Sequence, residues 1–189
     1  MMRPIARDEI VDYATYEDGR EAFRARVLAA KHPRRVHLGE YLTLLFENPL
    51  TVRYQIQEMI RVERIVREAA VRHEIDTFNE LLGGDGELGC TLLIEIDDPA
   101  ERAVKLHAWL DLPEHLYLVL PDGRHVRPRV DERQRDGERI SSVHYLKFDM
   151  RGEAPVAAGC DLPGLVVGTP LTDEQRRALA EDLGPDPLR

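Results

Sequence analysis

The sequence predicts an α+β fold: N-terminal helices, including one long helix, packed with a mostly antiparallel β-sheet. Three observations predict it. Helical periodicity runs from Asn48-Pro49 to Gly83-Gly84 without an interior Gly or Pro. Beyond residue 89, apolar and alternating stretches take over, punctuated by turn residues such as Pro121-Asp122-Gly123. Helices gathered ahead of strands point to an α+β layering rather than to a parallel α/β sheet.

In chain order, Thr15-Tyr16-Glu17-Asp18 has the form of a capping box and opens a helix that Pro33 ends. Residues 34–38 and 41–46 read as two short strands around Gly39, able to join the later sheet. Asn48 then caps the long helix, with Pro49 at its first position. Thr77-Phe78-Asn79-Glu80 is a second capping box, so the run is read either as unbroken or as divided there, and either reading gives an unusually long first helix. Residues 90–96 form a strand, and Asp98-Pro99 opens a short helix to about Leu110. Residues 116–120 and 125–130 make a hairpin through Asp122-Gly123. A loop over 131–138 leads to a strand over 139–150, and Gly and Pro make 151–171 an extended connection. A final capped helix starts at Thr172 and ends before Gly184. Residues 1–184 are thus expected to form one domain, with 185–189 a flexible tail.

The 189 residues are 43% hydrophobic and 32% charged, with a net charge of −9. That charge argues against nucleic acid as a partner, because neutralising phosphates needs a basic surface. The charge is segregated, +4 over residues 20–40 and −8 over 76–101. The first residues lack the apolar core of a secretory signal, and no apolar run approaches the roughly 18 residues of a membrane helix, so a cytoplasmic protein without membrane contact is expected. Cys90 and Cys160 are too far apart in sequence for a Cys-x-x-Cys motif and are read as reduced.

Gly84-Asp85-Gly86-Glu87-Leu88-Gly89 matches the dinucleotide fingerprint in letters only. The fingerprint follows a strand and opens a helix, whereas here a helix precedes and a strand follows. No nucleotide cofactor is therefore expected. The seven histidines show no His-x-x-x-His spacing, so spacing does not support a metal. A metal site would have to assemble His37, Glu63 and His73 with Glu47 and Glu58. The plainer reading pairs Glu63 with Arg67 and Glu68 with Arg72 along a helix. Ser142 and His144 share a strand face, but no nucleophile elbow accompanies them. Gln55, Glu63 and His73 interrupt the apolar stripe that contains Val52, Met59 and Val66. They anchor a polar core network, set the register of a helix-mediated dimer, or line a site.

The strings Arg35-Val36-His37-Leu38-Gly39, Leu44-Leu45-Phe46-Glu47-Asn48, Val52-Arg53-Tyr54-Gln55-Ile56-Gln57-Glu58-Met59, Asn79-Glu80-Leu81-Leu82 and Thr91-Leu92-Leu93-Ile94-Glu95-Ile96 resemble a bacterial domain-of-unknown-function family, the one numbered 3501. The resemblance implies no reaction or cofactor. It implies company with rubrerythrin-type and iron–sulfur redox proteins, and it directs attention to the polar cluster Glu47, Gln55, Gln57 and Glu58.

The functional expectation is a non-enzymatic accessory or partner-binding protein in a redox or metal-stress setting. It would form a homodimer through the long helix, with a redox protein as a further partner. The alternative is a metal-dependent or small-ligand enzyme with its site at the strand-to-helix junction.

Overall fold

The computed structural model describes residues 2–130 and 137–184. Among them are six α-helices and nine strands, the strands in two antiparallel sheets, so the α+β class holds. Helix α1 (Tyr13–Lys31) starts earlier than the Thr15 box implied. Asp12 is the cap instead, its carboxylate accepting the N–H groups of Ala14 and Thr15 and the Thr15 hydroxyl. With no N–H on Pro33, the chain tightens into a 3-10 turn, His32–Arg34, before strand β1 (Arg35–Leu38). Gly39, at φ +61°, turns it into β2 (Leu42–Phe46).

Helix α2 (Pro49–Val62) begins where the sequence put it: Asn48 Oδ1 accepts the Thr51 N–H, and Thr51 Oγ1 accepts the Asn48 N–H. The expected long run does not reach Gly83. It stops at Val62 and resumes as α3 (Glu68–Asn79). Arg64 lies at φ +49°, the Ile65 N–H donates to the Ile60 carbonyl and the Arg64 N–H to the Arg61 carbonyl. This is a Schellman stop, and Ile65 folds back onto the apolar cluster containing Ile60. Arginine occupies the left-handed position that glycine usually takes, so nothing in the sequence marks the break. The box at Thr77 sits at the end of α3 and divides nothing. The long N-terminal helix is instead the 19-residue α1.

The rest of the chain is β3 (Glu87–Ile94), α4 (Pro99–Ala108), α5 (Leu112–His115), β4 (Leu116–Val119), β5 (His125–Val126), β6 (Arg129–Val130), β7 (Val143–Asp149), β8 (Ala157–Leu162), β9 (Leu165–Pro170) and α6 (Asp173–Leu183). The sheet orders are β1-β2-β3-β7-β6 and β5-β4-β8-β9. The second arm of the expected hairpin therefore divides: β5 pairs with β4, while β6 crosses to β7. Residues 151–171 are not an extended connection, because β8 and β9 pair across Gly164. Glycine there signals close approach rather than a loop: a Cβ on Gly159 would meet the Tyr117 ring at 2.4 Å. Residues 131–136 of the expected loop and the 185–189 tail lie outside the described residues.

Two apolar clusters result. One fills the space between the sheets, with Leu44, Phe46, Leu92, Leu118 and Phe148 in it. The other joins Ile5, Ile10, Val52, Ile56, Ile60, Val71 and Ile75 in the helical part. Cys90 and Cys160 are buried free thiols in the first. His144 is buried among the same side chains, neither ring nitrogen makes a hydrogen bond of good geometry among the described residues, and burial pushes its pKa down against a weaker pull from the Ser141 backbone. The glycine string between α3 and β3 is a backbone crossing: a Cβ on Gly89 would lie 1.8 Å from the Leu81 carbonyl oxygen.

The left-handed arginine costs about 1–2 kcal/mol, and the extra unfolded-state freedom of glycine offsets part of that. Arg64→Gly should therefore raise stability by about 0.5–1 kcal/mol, read as a higher urea midpoint at unchanged slope. A lower midpoint would contradict the Schellman assignment.

Candidate functional site

Strand β2 runs directly into the Asn48 cap, which places Glu47 at the seam between sheet and helix. Its N–H donates to the Gly89 carbonyl on β3. Its carboxylate is 1% exposed and accepts the hydroxyls of Thr51 on α2 at 2.5 Å and Thr91 on β3 at 2.8 Å. Lys31, at the end of α1, has its ammonium 5.6 Å from the centre of the Tyr54 ring. Burial lowers the Lys31 pKa, and the charge of Glu47 opposes that shift.

The other candidates on α2 have separate tasks. Gln57 is buried and grips the N-terminal segment, accepting the Val11 N–H at 2.9 Å and donating to the Val11 carbonyl at 3.1 Å. Glu58 ties α2 to α1: it accepts the Tyr16 hydroxyl at 2.8 Å, Arg20 at 2.7 and 3.0 Å, and Arg61 at 3.1 Å. Burial alone would raise its pKa, but the bonds from Arg20, Tyr16 and Arg61 outweigh burial and bring it down to about 2. Gln55 is half-buried, its amide nitrogen enclosed without a hydrogen-bond partner among the described residues.

The break at Arg64 takes the predicted polar stripe apart. Glu63 and His73 are exposed, as is Val66 at 75%. Glu68 does pair with Arg72 at 2.8 Å, but among the described residues Glu63 makes no ion pair, since the helix that would carry Arg67 beside it has ended. His37 lies on β1, remote in the fold's connectivity from α3. Among the described residues, no three His, Cys, Asp or Glu side chains group as metal ligands, so the set His37, Glu63, His73, Glu47 and Glu58 is not assembled.

His37 belongs to a different arrangement. Thr43, opposite it on β2, donates its hydroxyl to Glu95 Oε2 at 2.5 Å and lies 2.9 Å from His37 Nδ1. With its proton directed to Glu95, the Thr43 oxygen accepts from Nδ1–H, which leaves Nε2 as the free ring nitrogen. Elsewhere, Arg34 and Asp182 form a buried ion pair at 2.7 Å that fastens α6 to the turn after α1, and burial raises the Asp182 pKa. On the second sheet, His115 Nδ1 lies 2.9 Å from Asp161, which also receives Arg127. The sequence reading missed Thr43, Thr51, Thr91 and Glu95. The threonines were legible only as strand and cap residues, and no local pattern announces a hydroxyl aimed at a distant acid.

Thr51→Val and Thr91→Val each deprive the buried carboxylate of a donor and should each cost about 1.5–3 kcal/mol. The double variant should depart from additivity by more than about 0.5 kcal/mol in a denaturation cycle. Because the Glu58 pKa is depressed in the folded state, its stabilisation is complete above about pH 4.5 and is lost as pH falls toward about 2. Glu58→Gln should flatten that part of the stability–pH curve, and an unchanged acid limb would contradict the assignment.

Among the described residues, no helix is long and apolar enough to cross a membrane. A search of curated proteins finds no match. The chain is similar to a solved structure, a novel protein of unknown function from Burkholderia pseudomallei, with 29% identity and a TM-score of 0.88 over 96% of this chain and 100% of that one. A family model described as protein of unknown function (DUF3501) matches residues 4–183, and the chain belongs to that family.

Proposed function

We propose that this chain is a cytoplasmic accessory protein that works by binding partners and itself pairs as a homodimer through the elbow between α2 and α3. Support comes from how its polar groups are used. Glu47, Gln57 and Glu58 are bonded internally, which leaves the strand-to-helix junction a joint rather than a reaction centre. The elbow is the opposite case and carries the proposal. Val62 and Val66 stand 61% and 75% exposed, beside exposed Glu63, Arg64 and Arg67, for which no ion pair is found among the described residues. An apolar pair flanked by unpaired charges of both signs is self-complementary under a two-fold axis, where each acid meets the other copy's cations.

The redox or metal-stress setting, with a redox protein as the further partner, rests on the company the family resemblance implies. Sedimentation equilibrium should give a mass of about twice the 21.6 kDa chain, and Val62→Asp with Val66→Asp should give the monomer. Glu63→Arg should weaken the dimer, and adding Arg64→Glu and Arg67→Glu should restore it. A wild-type monomer at about 100 μM would overturn the dimer reading. Unaltered peroxide survival of a strain lacking the protein would overturn the setting.

A further inference from the structure

We infer that the cleft between the end of α1, β1 and the start of α6 binds a small molecule through a phosphate group. The cleft has a volume of about 470 Å³, within the range of small-ligand sites. Its lining includes Lys31, His32, Arg35, His37, Glu174 and Gln175. Lys31 and Arg35 have no ion pair among the described residues, although Arg34, between them and the core, is locked to Asp182. The neighbouring cation with a structural task is thus paired at close range, whereas of the two facing the cleft Arg35 has no ion pair among the described residues and Lys31 feels only the longer-range charge of buried Glu47.

The walls are held in place rather than merely adjacent. Gln175 accepts the Thr172 N–H through Oε1 and donates through Nε2 to the Arg35 carbonyl at 2.8 Å, fixing the α6 wall to the β1 wall. The Thr43–Glu95 pair holds the His37 ring by Nδ1 and leaves Nε2 available at the cleft. Lys31 is partly covered and leans on Tyr54, which restricts its ammonium. Among the described residues Glu174 is the one carboxylate in the lining, against Lys31 and Arg35, so positive charge remains in excess there.

A phosphate group fits this set. The Arg35 fork matches two phosphate oxygens, the Lys31 ammonium supplies a point charge, and His37 Nε2 accepts from a P–OH or donates once protonated. A walled cleft on a chain of net charge −9 suits a small phosphorylated ligand better than a polyanion. The inference is independent of the oligomeric state proposed above.

The test is calorimetric titration with inorganic phosphate and with pyrophosphate, at constant ionic strength set with chloride. Saturable one-to-one binding is expected, with Lys31→Met and Arg35→Gln each weakening it about tenfold, the loss of one charge-assisted contact. Thr43→Val should weaken it about threefold by releasing the His37 ring. Arg72→Gln, on α3, should leave it unchanged. In the unsubstituted protein, phosphate should shift the His37 side-chain nitrogen resonances, a readout that needs no variant to fold. Absence of saturation up to about 50 mM phosphate, or binding that ignores Lys31→Met and Arg35→Gln, overturns the site.

Discussion

The rest of the molecule depends on one buried carboxylate. Glu47 is almost wholly removed from water, where an unpaired charge would cost several kcal/mol, so its two threonine donors are obligatory. One donor belongs to α2 and the other to β3, and the Glu47 N–H adds a second tie to β3 through the Gly89 carbonyl. Gly89 is also where the end of the helical part crosses, the Leu81 carbonyl leaving no room for a Cβ there. The chain therefore leaves the sheet at Glu47 and returns to it with β3, where Gly89 receives the Glu47 N–H. The apolar clusters of the helices and of the sandwich are separate, and this polar joint sets one against the other.

Within the helical part, polar side chains do work that apolar area cannot. Helix α1 buries only Tyr16 and Val27, at about 1.5–3 kcal/mol for a full-sized apolar side chain, which is little for 19 residues. Glu58 compensates by gathering Tyr16, Arg20 and Arg61 at one point. The segment ahead of α1 is held the same way, by two carboxamides that each grip one residue's backbone: Gln57 on Val11 and Asn79 on Ile5. Each grip satisfies both a donor and an acceptor, so neither amide nor backbone is left unpaired where it is partly buried.

What the sequence disclosed follows from how local each cause is. The cap at Asn48, the stop at Pro33 and the turn at Gly39 are one-residue effects and were read correctly. The stop at Arg64 was hidden because its signal residue is absent, and the stripe built across it inherited the error. The β8–β9 hairpin was hidden because Gly159 answers to a ring on another strand rather than to its own φ. Of the proposed cluster, Glu47, Gln57 and Glu58 proved to be bonded centres, but their partners lie up to 46 residues away and carry no pattern. Proximity in sequence suggested one site. The helix instead points Gln57 toward the N-terminal segment and Glu58 toward α1, while Glu47 lies back in the sheet seam.

The charge segregation changes meaning in three dimensions. The acidic stretch 76–101 keeps most of its negative charge: Glu87 meets Arg129 and Glu101 meets Lys105, while Asp98 and Glu95 accept from the Glu101 N–H and the Thr43 hydroxyl, neutral donors that fix a carboxylate without cancelling it. The basic stretch 20–40 is engaged unevenly. Arg20 and Arg34 are tied to Glu58 and Asp182, whereas Lys31 and Arg35, at the cleft that Glu174 also lines, make no ion pair among the described residues. A charge already paired projects little field, so the groups that matter for recognition are those the fold leaves unpaired. By that measure this acidic protein presents a local excess of positive charge where α1, β1 and α6 meet, and the proposed phosphate site rests on that excess.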